Sequence, residues 1–286
     1  MSAPYCSTMM ATQAIVSSGD SEQKSRWLPK IVEGDVGTVA LTEVDGSWNL
    51  DEVECQGLEE GEGIRLQGVK CFVQDLAMAK WVVVSAKIEG ATRLMVLDMT
   101  KVPETHYSRE VVIDETRRSF RLNLDGLTVP KENLLIGSDF HSLESAALLM
   151  LCAEISGGLM GVLPVIVEYL NTRKAFDRTI GSYQALKHPT VDILMSLEGA
   201  RSHLYHASTL LSQGKLEEFE SAVRMAKAQG SEAFAFAGDR AVQFHGGFGF
   251  TYECDAQLFL RRALWCQYQF GDERYHRQWL AGALFD

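Results

Sequence analysis

Basic charge is scarce in this 286-residue chain: 27 Lys and Arg stand against 38 Asp and Glu, for a formal net charge of -11. That balance disfavours nucleic acid as a partner, since phosphate binding needs clustered cations. Cysteine is sparse and scattered. Cys6, Cys55, Cys71, Cys152, Cys254 and Cys266 show no CxxC spacing, and histidine is not grouped with them. Neither a metal site nor a disulfide framework is expected. The chain does not open on a basic start followed by an apolar signal segment, so reduced thiols in a cytoplasmic protein are the default. No uninterrupted apolar run approaches the ~18–20 residues of a membrane span. The strongest apolar stretch, 146–167, carries Glu154 and several glycines and reads as a buried helix.

What is present divides into three regions by periodicity. Residues 1–34 read as helical, with a break at Ser17-Ser18-Gly19-Asp20 and a new start near Ser21. Trp27, Leu28 and Ile31 then give one apolar face. Residues 35–138 read as strands. Val69–Val73, Trp81–Ala86 and Arg93–Leu97 are β-rich runs of strand length, separated by turn-forming Gly, Asp and Pro. The acidic segment Asp51–Gly63 reads as a solvated loop. Residues 139–286 carry long helical patterns over 141–172, 181–213, 215–243 and 254–270, with a short one over 272–284. Long helices with wide apolar faces and short connections predict a bundle. The fold class is therefore α+β: a short helical start, a β-barrel or sandwich in the middle, and a C-terminal antiparallel four-helix bundle.

Two distant segments carry chemistry. Arg173 ends a long helix and is followed by Phe176 and Gln184. A guanidinium there suits a pyrophosphate, which it grips bidentately. Taken alone, Arg173 also suits a plain C-terminal helix cation. The second segment is Gln243-Phe244-His245-Gly246-Gly247-Phe248. Glycines there let backbone amides approach a phosphate, or simply make an interhelical turn.

Together these segments resemble the flavin-binding elements of the acyl-CoA dehydrogenases. Arg173, Phe176, Gln184, Gln243, Gly246 and Gly247 match that family's pattern position by position. The resemblance implies that they reach the pyrophosphate and adenosine end of an FAD bound mainly by a neighbouring subunit. Thr42-Glu43 and Ser47 resemble the family's Thr-Glu-Pro…Gly-Ser-Asp loop, with Val44 for the proline, Trp48 for the aspartate and one residue fewer. By that likeness Thr42 bonds the isoalloxazine and Ser47 lies near the pyrophosphate. Phe72 sits where a tryptophan covers the flavin ring, and Gln74 where a threonine or serine bonds it. A core aromatic on a strand is the plainer reading of Phe72. The likeness runs from about Ala14 to Leu284 and covers the middle β-domain and the C-terminal helical domain. Residues 1–34 correspond to the last part of the family's N-terminal helical domain.

The family's catalytic carboxylate is missing from both of its usual places. One alignment puts Phe270 there and the other puts Ala147. The cation that usually follows the second place is Leu148. Asp272 is the nearest substitute, although it also suits a helix N-cap. Glu144 and Glu154 share a helix face with Ala147. Chains of this type resemble non-catalytic subunits of heteromeric acyl-CoA dehydrogenases, including those acting on sterol side chains. Three functions remain open: an α,β-dehydrogenase with an unusual base, a silent FAD-binding partner subunit, and a flavin monooxygenase of the same fold. The resemblance implies an acyl-CoA substrate, an electron-transfer flavoprotein-type acceptor and a homo- or hetero-oligomer.

Overall fold

The computed structural model describes residues 4–285. The chain folds into two compact units, Met1–Ala146 and Ala147–Asp286.

The first unit starts with two helices, α1 (Tyr5–Ser18) and α2 (Ser21–Val32). Asp20 caps α2 in a capping box: its carboxylate accepts from Gln23 N at 2.8 Å, and Gln23 Oε1 accepts from Asp20 N at 3.2 Å. Both helices belong to the same unit as the strands. Trp27 of α2 packs 5.8 Å from Trp81, and Gln23 Nε2 donates to the Leu134 carbonyl at 2.7 Å.

Nine strands follow: β1 (Gly37–Ala40), β2 (Gln56–Glu60), β3 (Gly63–Gln67), β4 (Val69–Gln74), β5 (Trp81–Ile88), β6 (Ala91–Asp98), β7 (Tyr107–Glu110), β8 (Ser119–Asn123) and β9 (Thr128–Pro130). One six-stranded sheet has β5 at its centre, with β6 along one edge and β1 and β2 along the other. Strands β3 and β9 extend it beyond β2. A second sheet has the order β4-β8-β7. The valines and isoleucines of β5 explain its central place: Val82, Val84, Ala86 and Ile88 face the main apolar cluster with Met95, Leu97, Val73 and Leu122. A nearly continuous apolar strand is stable only when both faces are covered.

One expectation fails here. The acidic segment Asp51–Gly63 is not all loop, because β2 lies within it and pairs with β3 over five residues. Its glutamates sit at exposed positions while Gly57 is buried beside Ile88 and Ile64. The charges are thus compatible with a strand inside the sheet, between β5 and β3, because their side chains stay exposed.

The second unit is a helical bundle: α3 (Phe140–Thr172, which begins in the first unit), α4 (Gln184–Ser212), α5 (Leu216–His245), α6 (Ala256–Tyr268) and α7 (Glu273–Phe285). Helix α5 packs against α4, α6 and α7. By length and composition α3 could cross a bilayer, with mean hydropathy 1.9 in its most apolar window, of which 39% is buried. Leu151, Ile155, Leu159, Val162, Ile166 and Leu170 recur at helical spacing and enter the bundle core, which accounts for much of that hydropathy. All six cysteines are free thiols.

Gly158 lets α3 and α5 approach closely, since a Cβ built there runs into the ring of fully buried Phe234. Alanine is intrinsically better than glycine in a helix by about 1 kcal/mol. Overpacking costs about 1–3 kcal/mol and outweighs that gain. Gly158→Ala therefore lowers stability, and a higher urea midpoint for the variant would show that the packing argument is wrong.

Candidate functional site

The predicted residues fall into two groups, one on each unit. In the first unit, Thr42 follows β1 in a loop held by a buried ion pair. Lys70 of β4 donates to Glu43 Oε1 at 2.6 Å, to Ser85 Oγ at 2.9 Å and to the Leu41 carbonyl at 3.2 Å. Glu43 also accepts from the backbone of Glu54 at 2.7 Å and of Cys55 at 3.1 Å. Burial pushes the Glu43 carboxyl up, but the Lys70 ammonium and the two backbone amides outweigh it and hold it below the usual range. Burial lowers Lys70 despite its partners.

That loop meets the bulge of β4. Cys71 N donates to the Thr42 carbonyl at 2.9 Å. The register of β4 against β8 shifts between Lys70 and Val73. Within the shift Phe72 takes φ 57° and is 45% exposed, so it is not the core aromatic that a regular strand would make of it. A left-handed phenylalanine is a sign of strain held by its surroundings. Its N–H donates to Glu110 Oε2 at 2.8 Å, and Gln74 Nε2 donates to its carbonyl at 3.1 Å. Thr42, Phe72 and Gln74 are thus linked. Ser47 has other partners: its hydroxyl donates to Glu52 Oε2 at 3.0 Å.

In the second unit the link from α3 to α4 is a small hairpin, β10 (Lys174–Ala175) with β11 (Arg178–Thr179). Sequence reasoning gave only a short connection here. The hairpin tip is Phe176-Asp177, with φ 54° and 60°. Two positive φ values are the signature of the tight turn that hairpins prefer, normally made by Asn-Gly or Gly-Gly. Phe176 is 90% exposed at that tip. The hairpin is braced from behind: Ile180 N donates to the Arg173 carbonyl at 2.8 Å, Tyr183 Oη donates to the Ala175 carbonyl at 3.2 Å, and the Arg178 guanidinium lies 4.3 Å from the Tyr183 ring centre. Arg173 and Gln184 are exposed on either side.

The glycine segment sits at the same end of the bundle. Tyr169, four residues before Arg173, stacks on His245 at 4.1 Å, and its hydroxyl donates to the His245 carbonyl at 3.4 Å. Gly246 follows with φ 60° and ψ -142°, a conformation that essentially only glycine adopts. Nothing lies within 4 Å of a Cβ built on Gly246 or Gly247, so the space above both is open. Gln243 is exposed one turn earlier. A cation, two amides, an exposed ring and an open glycine backbone form a donor set that fits a dinucleotide.

The carboxylate question looks different in three dimensions. Phe270 has φ 54° and packs against two apolar clusters of the bundle. Ala147 is 1% exposed. Asp272 Oδ1 accepts from Arg274 N at 3.1 Å and from Tyr275 N at 2.9 Å, so it caps α7. Glu154 Oε1 accepts from Arg262 at 2.6 Å. Among the described residues no three His, Cys, Asp or Glu side chains group as a metal site.

Fold and site together define an α+β flavoprotein-type chain with a C-terminal helical bundle. Residues 146–285 match the family described as acyl-CoA dehydrogenase, C-terminal domain. The acyl-CoA dehydrogenase FadE12 of Mycobacterium tuberculosis is 29% identical over 257 residues, covering 84% of this chain and 65% of its own length. This chain therefore spans about two thirds of that relative. A chain in the solved structure of the electron transferring flavoprotein of Acidaminococcus fermentans superposes with a TM-score of 0.88 at 27% identity, covering 98% of this chain and 78% of that one. A steroid ACAD, Tcur3481-Tcur3483, superposes at 0.85 with 25% identity, covering 97% and 74%. The helical unit thus matches the C-terminal domain of the acyl-CoA dehydrogenases, a family of FAD-binding flavoproteins, and the chain as a whole is similar to members of that family.

Proposed function

We propose that this chain is an FAD-binding subunit of an enzyme that removes hydrogen across the α,β bond of an acyl-CoA thioester. The observation that carries the reading is the joined end of the bundle, where the Arg173 hairpin and the Gly246 turn are held together through Tyr169 and His245. Arg173 pairs with the pyrophosphate, the Gly246 backbone admits it, and Gln184 and Gln243 supply amide hydrogen bonds. Phe176 offers a flat face to the adenosine end. Thr42 and Gln74 of the first unit would bond the flavin ring system of an FAD that this unit mainly holds, with Phe72 covering it and Ser47 serving its pyrophosphate. The bundle-end residues would reach the FAD of a neighbouring subunit. When bound, FAD supplies the acceptor for the hydride leaving the β-carbon. An electron-transfer flavoprotein-type protein is the onward acceptor, and a homo- or hetero-oligomer completes the cofactor site.

A charge-assisted bidentate contact is worth about 1.5–3 kcal/mol. Arg173→Gln therefore raises the FAD Kd by roughly ten- to a hundredfold. Equilibrium dialysis measures this directly, and an unchanged Kd would remove Arg173 from the site.

One observation favours a second form of the reading, in which the chain is the catalytically silent member of a heteromeric pair. Position 270 is an apolar side chain packed in the bundle, Asp272 serves as a helix cap, and Glu154 is paired with Arg262. Under this form a sister subunit brings the base, and mixing the two chains restores turnover that neither has alone.

A further inference from the structure

Lys227 lies in α5 with no exposed surface, and none of the functions above uses it. Its amine donates to Ser231 Oγ at 3.1 Å, to the Gln267 carbonyl at 3.0 Å and to the Gly271 carbonyl at 2.7 Å. Those three acceptors use all three N–H bonds of an ammonium. The two carbonyls bracket the turn between α6 and α7. That turn has two consecutive residues in left-handed backbone, Phe270 at φ 54° and Gly271 at φ 101°. A phenylalanine there is unfavourable unless the surroundings dictate it. A Cβ on Gly271 would run into Tyr275 and the His276 ring, so the turn is also tightly enclosed.

We propose that Lys227 is the positioning residue of this turn: it ties the backbone at Gln267 and Gly271 and so fixes the direction in which position 270 leaves the chain. The functional weight of that position rests on the proposed function, in which 270 is the place of the family's base. The clamp itself rests on the three hydrogen bonds.

The groups facing Lys227 decide how it behaves with pH. Arg224, bonded to Glu220 at 3.2 Å, comes from α5; Cys152 comes from α3; Cys266 from α6; Asp272, Glu273 and His276 from the start of α7. Burial, against the opposing pull of the thiols and carboxylates, pushes Lys227 down to about 8. Burial, then the nearby Lys227 and Arg224 charges, pushes His276 down to about 3, so it stays neutral. Burial pushes Cys152 up to about 12. Lys227 therefore changes charge between its neighbours' limits. The clamp tolerates the change. A neutral amine keeps two N–H bonds for the two carbonyls, while the Ser231 hydroxyl turns to donate to the nitrogen lone pair.

The sign of the pH effect follows from linkage. If opening the turn wets Lys227, the open form regains an ordinary lysine pKa and binds the proton more tightly than the closed form. Opening is then favoured at low pH and suppressed as pH rises from about 8 towards 10.5. Hydrogen exchange of the full-length protein tests this at the Arg274, Tyr275 and His276 amides, which the turn and its cap hold. After correction for intrinsic exchange, their protection rises roughly thirtyfold between about pH 7 and about pH 9.5. Amides in α4 stay flat. Lys227→Met loses the pH response, and Lys227→Arg restores protection at neutral pH without it, because a guanidinium does not deprotonate. A flat response in the unaltered protein overturns the proposal, as does a rise shared equally by the whole bundle. The unaltered protein suffices if the methionine variant fails to fold. Flavin absorbance is read on the same protein, alone and mixed with its partner subunit: no flavin in either case with the pH response intact sinks the proposed function and leaves the clamp.

Discussion

Replacing Glu43 by glutamine lowers the stability of the β unit by about 3–5 kcal/mol, because it leaves the Lys70 ammonium buried without its counter-charge. Lys70 has no exposed surface and Glu43 is 6% exposed, so solvent does not screen the pair. Lys70→Met costs a similar amount by stranding the carboxylate. The double variant costs less than the sum, since neither charge is then orphaned. The measurement is urea unfolding of the full chain followed by hydrogen exchange in β5. Two single effects that simply add would show that the pair is not coupled. The pH dependence has a definite sign. The Glu43 carboxyl is held below its ordinary value, so its contribution is present above the usual carboxylate range and is lost as pH falls through the lowered value. The same pair shapes the loop before Ser47, so the single variants also weaken FAD binding before global unfolding sets in.

Phe270→Glu is expected to speed the bleaching of bound flavin by an acyl-CoA by about 10²–10⁴, the usual contribution of a positioned general base. The expectation follows from the lack of a titratable group at position 270 and at Ala147. Asp272→Asn is the companion variant. Asparagine caps a helix as well as aspartate does, so stability holds while the proton acceptor is removed. If Phe270→Glu gains nothing and Asp272→Asn abolishes bleaching in the unaltered background, Asp272 is the base and the silent-subunit form fails. If the glutamate gains and the asparagine changes nothing, Asp272 is a cap alone.

Much of the architecture was legible in the chain because long elements repeat their signal. The β-branched run of β5 and the i, i+3, i+4 leucines and isoleucines of α3 each announce themselves several times. Single-residue effects were harder. The hairpin before α4 was missed because Phe176-Asp177 is a poor turn sequence; its positive φ values come from the braces behind it. The strand inside Asp51–Gly63 was hidden by its glutamates, which stay exposed although β2 lies between β5 and β3. The two buried lysines were missed outright. Lys227 occupies the apolar stripe of α5 with Val223, Gly230 and Phe234, and Lys70 sits among buried residues of β4. That mismatch between residue type and face was the available signal. Partners from distant segments are what make such burial tolerable, and sequence spacing does not reveal them.

The central claim is that the Arg173 hairpin and the Gly246 turn are a dinucleotide end-site. Its most direct test is equilibrium dialysis of FAD against the purified chain and its Gly246→Val variant, with visible flavin absorbance as the readout. The account predicts flavin retained by the unaltered chain, alone or with its partner subunit, and lost from the variant while the bundle stays folded. Equal retention by both, or no flavin under either condition, would contradict it.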